Sequence, residues 1–232
     1  MSAEVHHQHR DVGGGWLRPT VFGMMDGLVS NFALIAGVAG GGTGRHAVAL
    51  AGLAGLVGGA FSMATGEYVS VQSQNESVRA EINVERRELR LNAKAEVQEL
   101  ADLYTSRGVD PELAHEVSRQ LSRDPEQALA VHAREELGVD PDGLPSAWLA
   151  AGSSLVSFSV GAIIPLLPYL LGATSVLISA VLSLLALFAA GAVSANFTAR
   201  GWLFAGVRQL LLGVIAAAVT FGVGSLFGAA VG

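Results

Sequence analysis

Five apolar runs, each about as long as a bilayer's hydrocarbon core is thick, constrain this chain more than any other feature. A membrane-spanning helix needs about 20 predominantly apolar residues. The runs cover residues 20–41, 47–70, 148–171, 174–197 and 204–230. Only 15% of the 232 residues are charged, whereas a soluble domain carries about 25%. We therefore predict an all-α, polytopic membrane protein with five transmembrane helices.

A hydrophilic insert separates the second run from the third. Residues 76–142 hold 16 acidic and 9 basic side chains, and helix-forming residue types dominate them. Residues 72–106 contain neither Gly nor Pro, which predicts one helix continuous with the second span. We therefore predict three helices between spans two and three.

Two repeated Asp-Pro pairs mark where the second and third helices of the insert begin. Asp110 and Asp124 are placed to cap the N-termini of these helices. Pro111 and Pro125 follow them at the first helical position. Gly138 is placed to end the third helix.

These patterns divide the chain into four predicted parts. They are a disordered tail at 1–19, transmembrane helices 1 and 2 at 20–71, an acidic helical metal-binding domain at 72–146, and transmembrane helices 3 to 5 at 147–232. His6, His7 and His9 fall in the tail, where a metal-binding role and incidental histidines are both open.

The basic residues predict how the chain is oriented in the membrane. If the N-terminus is cytoplasmic, 13 of the 14 Arg and Lys residues lie inside and Arg45 alone lies outside. Cytoplasmic loops carry the excess of basic residues. We therefore predict that the N-terminus and the insert are cytoplasmic and that the C-terminus lies outside.

A stripe of carboxylates follows the first helix of the insert. Steps of three and four residues keep its members on one helical face: Glu81, Glu85, Glu88, Asn92, Glu96 and Glu99. Such oxygen ligands suit hard or borderline divalent ions, although a solvated charged face has the same pattern. His132 and Glu136 on the third helix stand four residues apart and are placed to close such a site.

Three polar or soft side chains interrupt the first two spans. Asp26 lies inside an apolar run, where a carboxylate costs roughly 2.5–3.5 kcal/mol even on lenient insertion scales. Met63 offers a soft thioether, and Glu67 follows it near the inner boundary. We predict that these side chains line a transport path. The alternatives are a hydrogen-bonded structural carboxylate for Asp26, plain packing for Met63 and solvation for Glu67.

Glycine pairs at a spacing of four occur in three spans. They are Gly37/Gly41, Gly55/Gly59 and Gly224/Gly228. This spacing lets helix backbones touch in lipid. Close packing within one subunit and a dimer face are both open.

The chain resembles the vacuolar iron transporter family of plants and fungi, which has many bacterial members. The resemblance rests on DGLVSNFALIAGVAGG, SMATGEYVS, PLLPY and the acidic insert, and covers nearly everything past residue 20. It implies a homodimer of five-span subunits that moves ferrous iron, and often manganese, out of the cytoplasm in exchange for protons. The route implied runs between subunits and is lined by the first two spans.

The family's functional residues fall on identifiable positions. Its first-span aspartate corresponds to Asp26 and its second-span methionine to Met63. Its domain ligands correspond to Glu85, Glu88, Glu96, Glu99 and Glu136.

Two departures separate this chain from the plant members. The two methionine ligands of their third insert helix correspond to His132 and Ala133. A glutamate that they carry early in the second span is Gly55 here, so proton coupling falls to Glu67 or Asp26.

Several function classes are excluded or disfavoured. The chain has no cysteine, so disulfides and thiolate sites are absent, and no basic stripe for nucleic acid is present. A ferritin-like di-iron oxidase needs Glu-x-x-His pairs on two helices, whereas the glutamates follow His132 here. We predict no enzyme and no tightly bound cofactor.

The sequence favours a divalent-metal transporter in the cytoplasmic membrane of a bacterium. Fe²⁺, Mn²⁺ or Zn²⁺ would be both its substrate and the ligand of the acidic domain, and membrane lipid, protons and a second copy of the chain would be its partners. The alternative is a non-transporting, membrane-anchored protein that buffers or senses metal.

Overall fold

A computed structural model describes residues 15–197 and 200–231, and all regular elements in these ranges are helical. The α-helices are α1 (Leu17–Gly40), α2 (Arg45–Leu91), α3 (Ala93–Ser106), α4 (Pro111–Leu121), α5 (Pro125–Glu135), α6 (Ala147–Leu170), α7 (Val176–Ser194) and α8 (Trp202–Val231). A short 3₁₀ turn, Ala195–Phe197, follows α7. The all-α prediction is confirmed. The predicted roles of His6, His7 and His9 lie outside the described residues.

Five of these helices are long and apolar enough to cross a membrane, as predicted. They are α1, the apolar part of α2, α6, α7 together with its 3₁₀ turn, and α8. Their ends differ from the predicted spans by a few residues; α1, for example, begins at Leu17 rather than at residue 20.

The chain forms two compact units. One comprises the described residues up to Val69 together with those from Ala147 onward, and the other is Ser70–Ser146. Helix α2 contributes its first part to the first unit and the rest to the second. We call the first the membrane unit and the second the acidic unit.

Helix α1 contributes to two of the cores of the membrane unit. Leu28 and Phe32 pack with Leu187 of α7. Ile35, on another face of α1, packs with Val48 and with α6. The buried Asn31 donates from Nδ2 to the Ala162 carbonyl of α6 at 2.6 Å, which fixes the rotation of α1.

The glycine pairs pack inside the chain. A Cβ on Gly228 would lie 2.6 Å from the Gly41 carbonyl oxygen, and Gly224 faces Gly37 in the same way. Gly55 and Gly59 are covered by side chains of α1 and α6. All three pairs therefore allow close helix packing within one subunit.

The first helix of the insert is not continuous, contrary to the prediction for residues 72–106. Helix α2 ends at Leu91, and Asn92 has φ −125° and ψ 29° before α3 begins. The Asn92 side chain donates from Nδ2 to Glu88 Oε2 at 2.6 Å, and its carbonyl accepts from Ala95 N at 2.7 Å. Asparagine competes with helical backbone bonding in this way, so the carboxylate stripe is divided between two helices.

The capping predictions for α4 and α5 are confirmed. Asp110 accepts from Glu112 N at 3.0 Å and from Leu113 N at 3.2 Å. Asp124 accepts from Glu126 N at 3.0 Å. Helix α5 ends at Glu135, and Gly138 follows with φ +67°, a conformation that favours glycine.

Candidate metal sites

The acidic unit gathers three carboxylates around one histidine. The side chain of His132 on α5 is fully buried, and its Nδ1 lies 2.7 Å from Glu136 Oε1. The same nitrogen lies 3.1 Å from Glu85 Oε1 on α2 and 3.8 Å from Glu96 Oε2 on α3. Residues on three helices therefore meet at a single ring nitrogen.

An apolar layer holds α2 against α5 beside this cluster. Ile82 of α2 packs with Leu129 and Ala133 of α5, and all three are buried. Ile82 and Glu85 are three residues apart, as are Leu129 and His132, so packing of the apolar residues brings the polar ones together. Ala133 itself lies in this core and carries no ligand atom.

The cluster has the composition and spacing of a divalent-metal site. Glu85, His132 and Glu136 each offer one ligand atom, and these three atoms lie within 4.8 Å of one another. Glu85 Oε1 and His132 Nε2 are buried without a hydrogen-bond partner. Leaving a buried polar atom unpaired is costly, and a cation beside Glu85 Oε1 would offset that cost.

Burial and mutual repulsion perturb the carboxylates of the cluster. Burial, and then the negative charge of Glu136, raises the pKa of Glu85 to about 7, although His132 lowers it. Burial, and then Glu99, raises the pKa of Glu96. Negative charge is therefore concentrated here without an equal positive charge.

The remaining members of the predicted stripe lie at different distances from this centre. Glu99 and Glu88 act on Glu96 through their charge, and Glu88 also accepts the Asn92 hydrogen bond. Glu81 is exposed on α2 and does not belong to the group of ligand atoms around His132.

The membrane unit brings Asp26 and Met63 to one cavity. This cavity, of about 330 Å³, lies between α1 and α2, with Phe158 of α6 in its wall. No side chain in residues 15–197 or 200–231 forms a salt bridge with the Asp26 carboxylate. Glu67 does not line this cavity and lies one helical turn after Met63 on α2.

Asn31 is a polar cavity residue that the sequence analysis missed. Its Nδ2 bonds to α6, while its Oδ1 is buried without a hydrogen-bond partner. Asn31 lines the same cavity as Asp26. An amide five residues after an intramembrane carboxylate is the signal that could have indicated it.

Comparison with known proteins identifies the family. Residues 17–225 match the model of the VIT family. The chain belongs to the VIT family. The resemblance predicted from the sequence motifs is therefore confirmed, and the five apolar helices of this VIT-family chain make it an integral membrane protein.

Named relatives cover nearly the whole of this VIT-family chain. It is 40% identical over 217 residues to the vacuolar iron transporter of Acanthamoeba castellanii, which covers 91% of this chain and 78% of that protein. It is 30% identical over 220 residues to vacuolar iron transporter 2 of Oryza sativa subsp. japonica, with 94% and 89% covered. It is also 30% identical over 220 residues to vacuolar iron transporter 1 of Arabidopsis thaliana, with 93% and 88% covered.

Proposed function

We propose that this protein is a divalent-metal transporter that moves ferrous iron, and secondarily manganese, out of the cytoplasm in exchange for protons. The observation that carries the proposal is the convergence of Asp26, Met63 and Asn31 on one cavity between α1 and α2. The relatives' names, which are those of iron transporters, support the choice of metal and favour a transporter over an enzyme.

The donor set of the cavity suits a passing ferrous ion. Asp26 supplies charge, Asn31 supplies a neutral oxygen, and Met63 supplies a polarizable sulfur that binds weakly. A transport path must bind strongly enough to admit an ion and weakly enough to release it. One carboxylate with two neutral donors meets both requirements.

Asp26 is our candidate for proton coupling. Gly55, where plant members carry a glutamate, lines the cavity and adds no charge there. A Cβ at Gly55 would lie 2.8 Å from Asn31 Oδ1, so a side chain at this position would enter the cavity. Asp26 is the one carboxylate among the cavity's lining residues, which favours it over Glu67 as the group that alternates between proton and metal.

The acidic unit is proposed to collect the metal on the cytoplasmic side. Its three ligand atoms around His132 and its excess of acidic residues both raise the local concentration of cations. The distribution of Arg and Lys supports this orientation, with the N-terminus inside and the C-terminus outside.

A homodimer is proposed because the exposed face of α2 suits a second helix. Ala54, Gly58, Ser62 and Gly66 are exposed at intervals of four residues. A Cβ on Gly58 or Gly66 would meet nothing within 4 Å in this chain. Small residues at this spacing permit close helix contact in lipid, and Ser62 also lines the cavity.

One observation favours a second candidate, a membrane-anchored metal buffer or sensor. The Glu85, His132 and Glu136 ligand atoms come together without any contribution from Asp26 or Met63. Such a site needs no transport path in order to bind metal.

Flux measurements in sealed liposomes separate the two candidates. Purified protein is reconstituted, and uptake of Fe²⁺, Mn²⁺, Zn²⁺ and Co²⁺ is measured with and without a pH gradient. A transporter gives metal uptake that the gradient drives, together with counterflow of protons. Tight metal binding without flux, whether or not a pH gradient is present, would favour the buffer or sensor.

A further inference from the structure

The acidic unit also contains a basic cavity, which is lined by residues of α2, α3, α4 and α5 and of the turn between α4 and α5. This cavity, of about 490 Å³, is lined by four arginines: Arg86, Arg90, Arg119 and Arg123. Glu126 is the single acidic residue in its wall. Four of the nine basic residues of a strongly acidic unit therefore line one cavity.

The arginines form two pairs, each with a spacing of four residues. Arg86 and Arg90 lie on one face of α2, while Arg119 lies on α4 and Arg123 follows its end. The like charges of Arg86 and Arg90 repel at this helical spacing, and a bound anion would reduce that repulsion.

Two of these arginines form no ion pair or hydrogen bond within the described residues, although the charge of Arg123 acts on Glu116. Arg119 donates to both oxygens of Glu116, at 2.9 and 2.6 Å, and Arg86 donates to Asn83 Oδ1 at 3.0 Å. Arg90 and Arg123 form no ion pair or hydrogen bond in residues 15–197 and 200–231. Their guanidinium groups are free to bind an anion, and the planar fork of arginine matches phosphate.

Apolar side chains form another part of the wall. Leu89, Val97 and Leu129 contribute to it, one each from α2, α3 and α5. Ligand sites of about 300–1,000 Å³ typically combine an apolar lining with a few polar groups that orient the ligand. The cavity therefore has room and surface for an organic group beside the charged one.

We propose that this cavity binds an organic phosphate. Arg90 and Arg123 hold the phosphate group, and the organic part packs against Leu89, Val97 and Leu129. A nucleotide and the headgroup of an anionic phospholipid share this chemistry. The proposal does not depend on metal transport by the protein.

Direct binding measurements on the full chain in detergent test the proposal. The probes are ATP, inorganic phosphate and a short-chain phosphatidylglycerol, each in buffer with EDTA, because metal at the carboxylate cluster would otherwise bridge to phosphate. We expect one molecule of an organic phosphate per chain, with weaker binding of inorganic phosphate. ATP as the preferred probe would identify a nucleotide site, and phosphatidylglycerol a lipid headgroup site.

Matched variants locate the binding. Arg90→Gln with Arg123→Gln should weaken binding at least about tenfold, since two charge-assisted contacts are lost. Arg79→Gln with Arg87→Gln removes the same charge from exposed residues of α2 that do not line the cavity. This control pair should change affinity less than about twofold.

A second pair of variants adds a negative charge instead of removing positive charge. Ala93→Glu places a carboxylate in the cavity wall and should also weaken binding. Ala95→Glu, at an exposed position outside the cavity, should leave binding unchanged.

Two results would overturn the proposal. One is equal weakening by both pairs of arginine variants, which would indicate only a general attraction to positive charge. The other is failure of all three probes to bind to the folded wild-type chain at low ionic strength.

Discussion

Three carboxylates lie within 3.8 Å of His132 Nδ1 in the acidic unit, whereas the cavity of the membrane unit has a single carboxylate, Asp26. The first cluster is built from three helices of one chain around a buried histidine. The second lies beside a helix face that the chain leaves exposed. High charge with a nitrogen donor favours retention of a metal, and low charge with a sulfur donor favours its passage.

The largest effect is expected from Asp26→Asn. At an effective dielectric constant of about 20, one unit-charge contact at about 4 Å is worth about 4 kcal/mol, so transport in liposomes should fall by several hundredfold. Glu67→Gln removes a carboxylate of the same helix pair that does not line the cavity. It should transport metal nearly as well as the wild type.

The same pair of variants tests the assignment of proton coupling. Asp26→Asn should still bind metal at the acidic unit, which titration of the detergent-solubilised protein would measure. Unchanged metal flux in Asp26→Asn would show that Asp26 is not the proton-coupling group. Loss of the pH dependence of flux in Glu67→Gln alone would assign the coupling to Glu67.

The next largest effect is expected in the acidic unit, from Glu85→Gln. Loss of a buried ligand oxygen should weaken metal binding by the full chain about tenfold, or about 1.4 kcal/mol, while flux at saturating metal changes little. Glu81→Gln is the matched control, because Glu81 belongs to the same stripe but is exposed. Equal losses from both variants would mean that only the overall charge of the stripe matters.

A smaller change, in selectivity, is expected from His132→Gln, which replaces the imidazole by an amide oxygen. Imidazole suits zinc, whereas manganese prefers oxygen ligands. The ratio of zinc to manganese affinity should therefore fall about fivefold, as measured by competition titration. His115→Gln makes the same change at an exposed histidine of α4 and should leave the ratio unaltered. A ratio unaffected by His132→Gln would remove the histidine from the ligand set.

The parts of this comparison that the sequence predicted are those that depend on local chemistry. Hydropathy alone identified the five membrane helices, and the Asp-Pro pairs identified the starts of α4 and α5. The four-residue spacing of His132 and Glu136 placed them on one face of α5, and they are in contact at 2.7 Å.

The parts that the sequence did not predict depend on contacts between distant segments. The end of α2 at Leu91 depends on the Asn92 side chain binding Glu88, one of several conformations open to an asparagine. The approach of Glu85 to His132 depends on how α2 packs on α5. The polarity of Asn31 is visible in the sequence, but its place in the cavity wall depends on the packing of α1 against α2 and on its bond to α6.

The smallest expected effect is a pH dependence of stability that originates in the carboxylate cluster. Without metal, the pKa of Glu85 is raised from 4.5 to about 7 in the folded protein, first by burial. Between these values the folded chain retains a proton that the unfolded chain has released. Stability should therefore decrease as the pH rises from 5 to about 7, by at most about 1.4 kcal/mol per pH unit for one group.

Thermal unfolding of the detergent-solubilised protein in EDTA measures this effect as the difference between wild type and Glu85→Gln. The variant should gain stability relative to the wild type as the pH rises, since its amide does not ionise. Added metal should reverse the wild-type trend, because an ion binds the deprotonated carboxylate. A stability difference between wild type and Glu85→Gln that stays constant from pH 5 to 8 would mean that the cluster does not hold Glu85 in its protonated form. The contrast between the carboxylate cluster and the membrane-unit cavity would then rest on geometry alone.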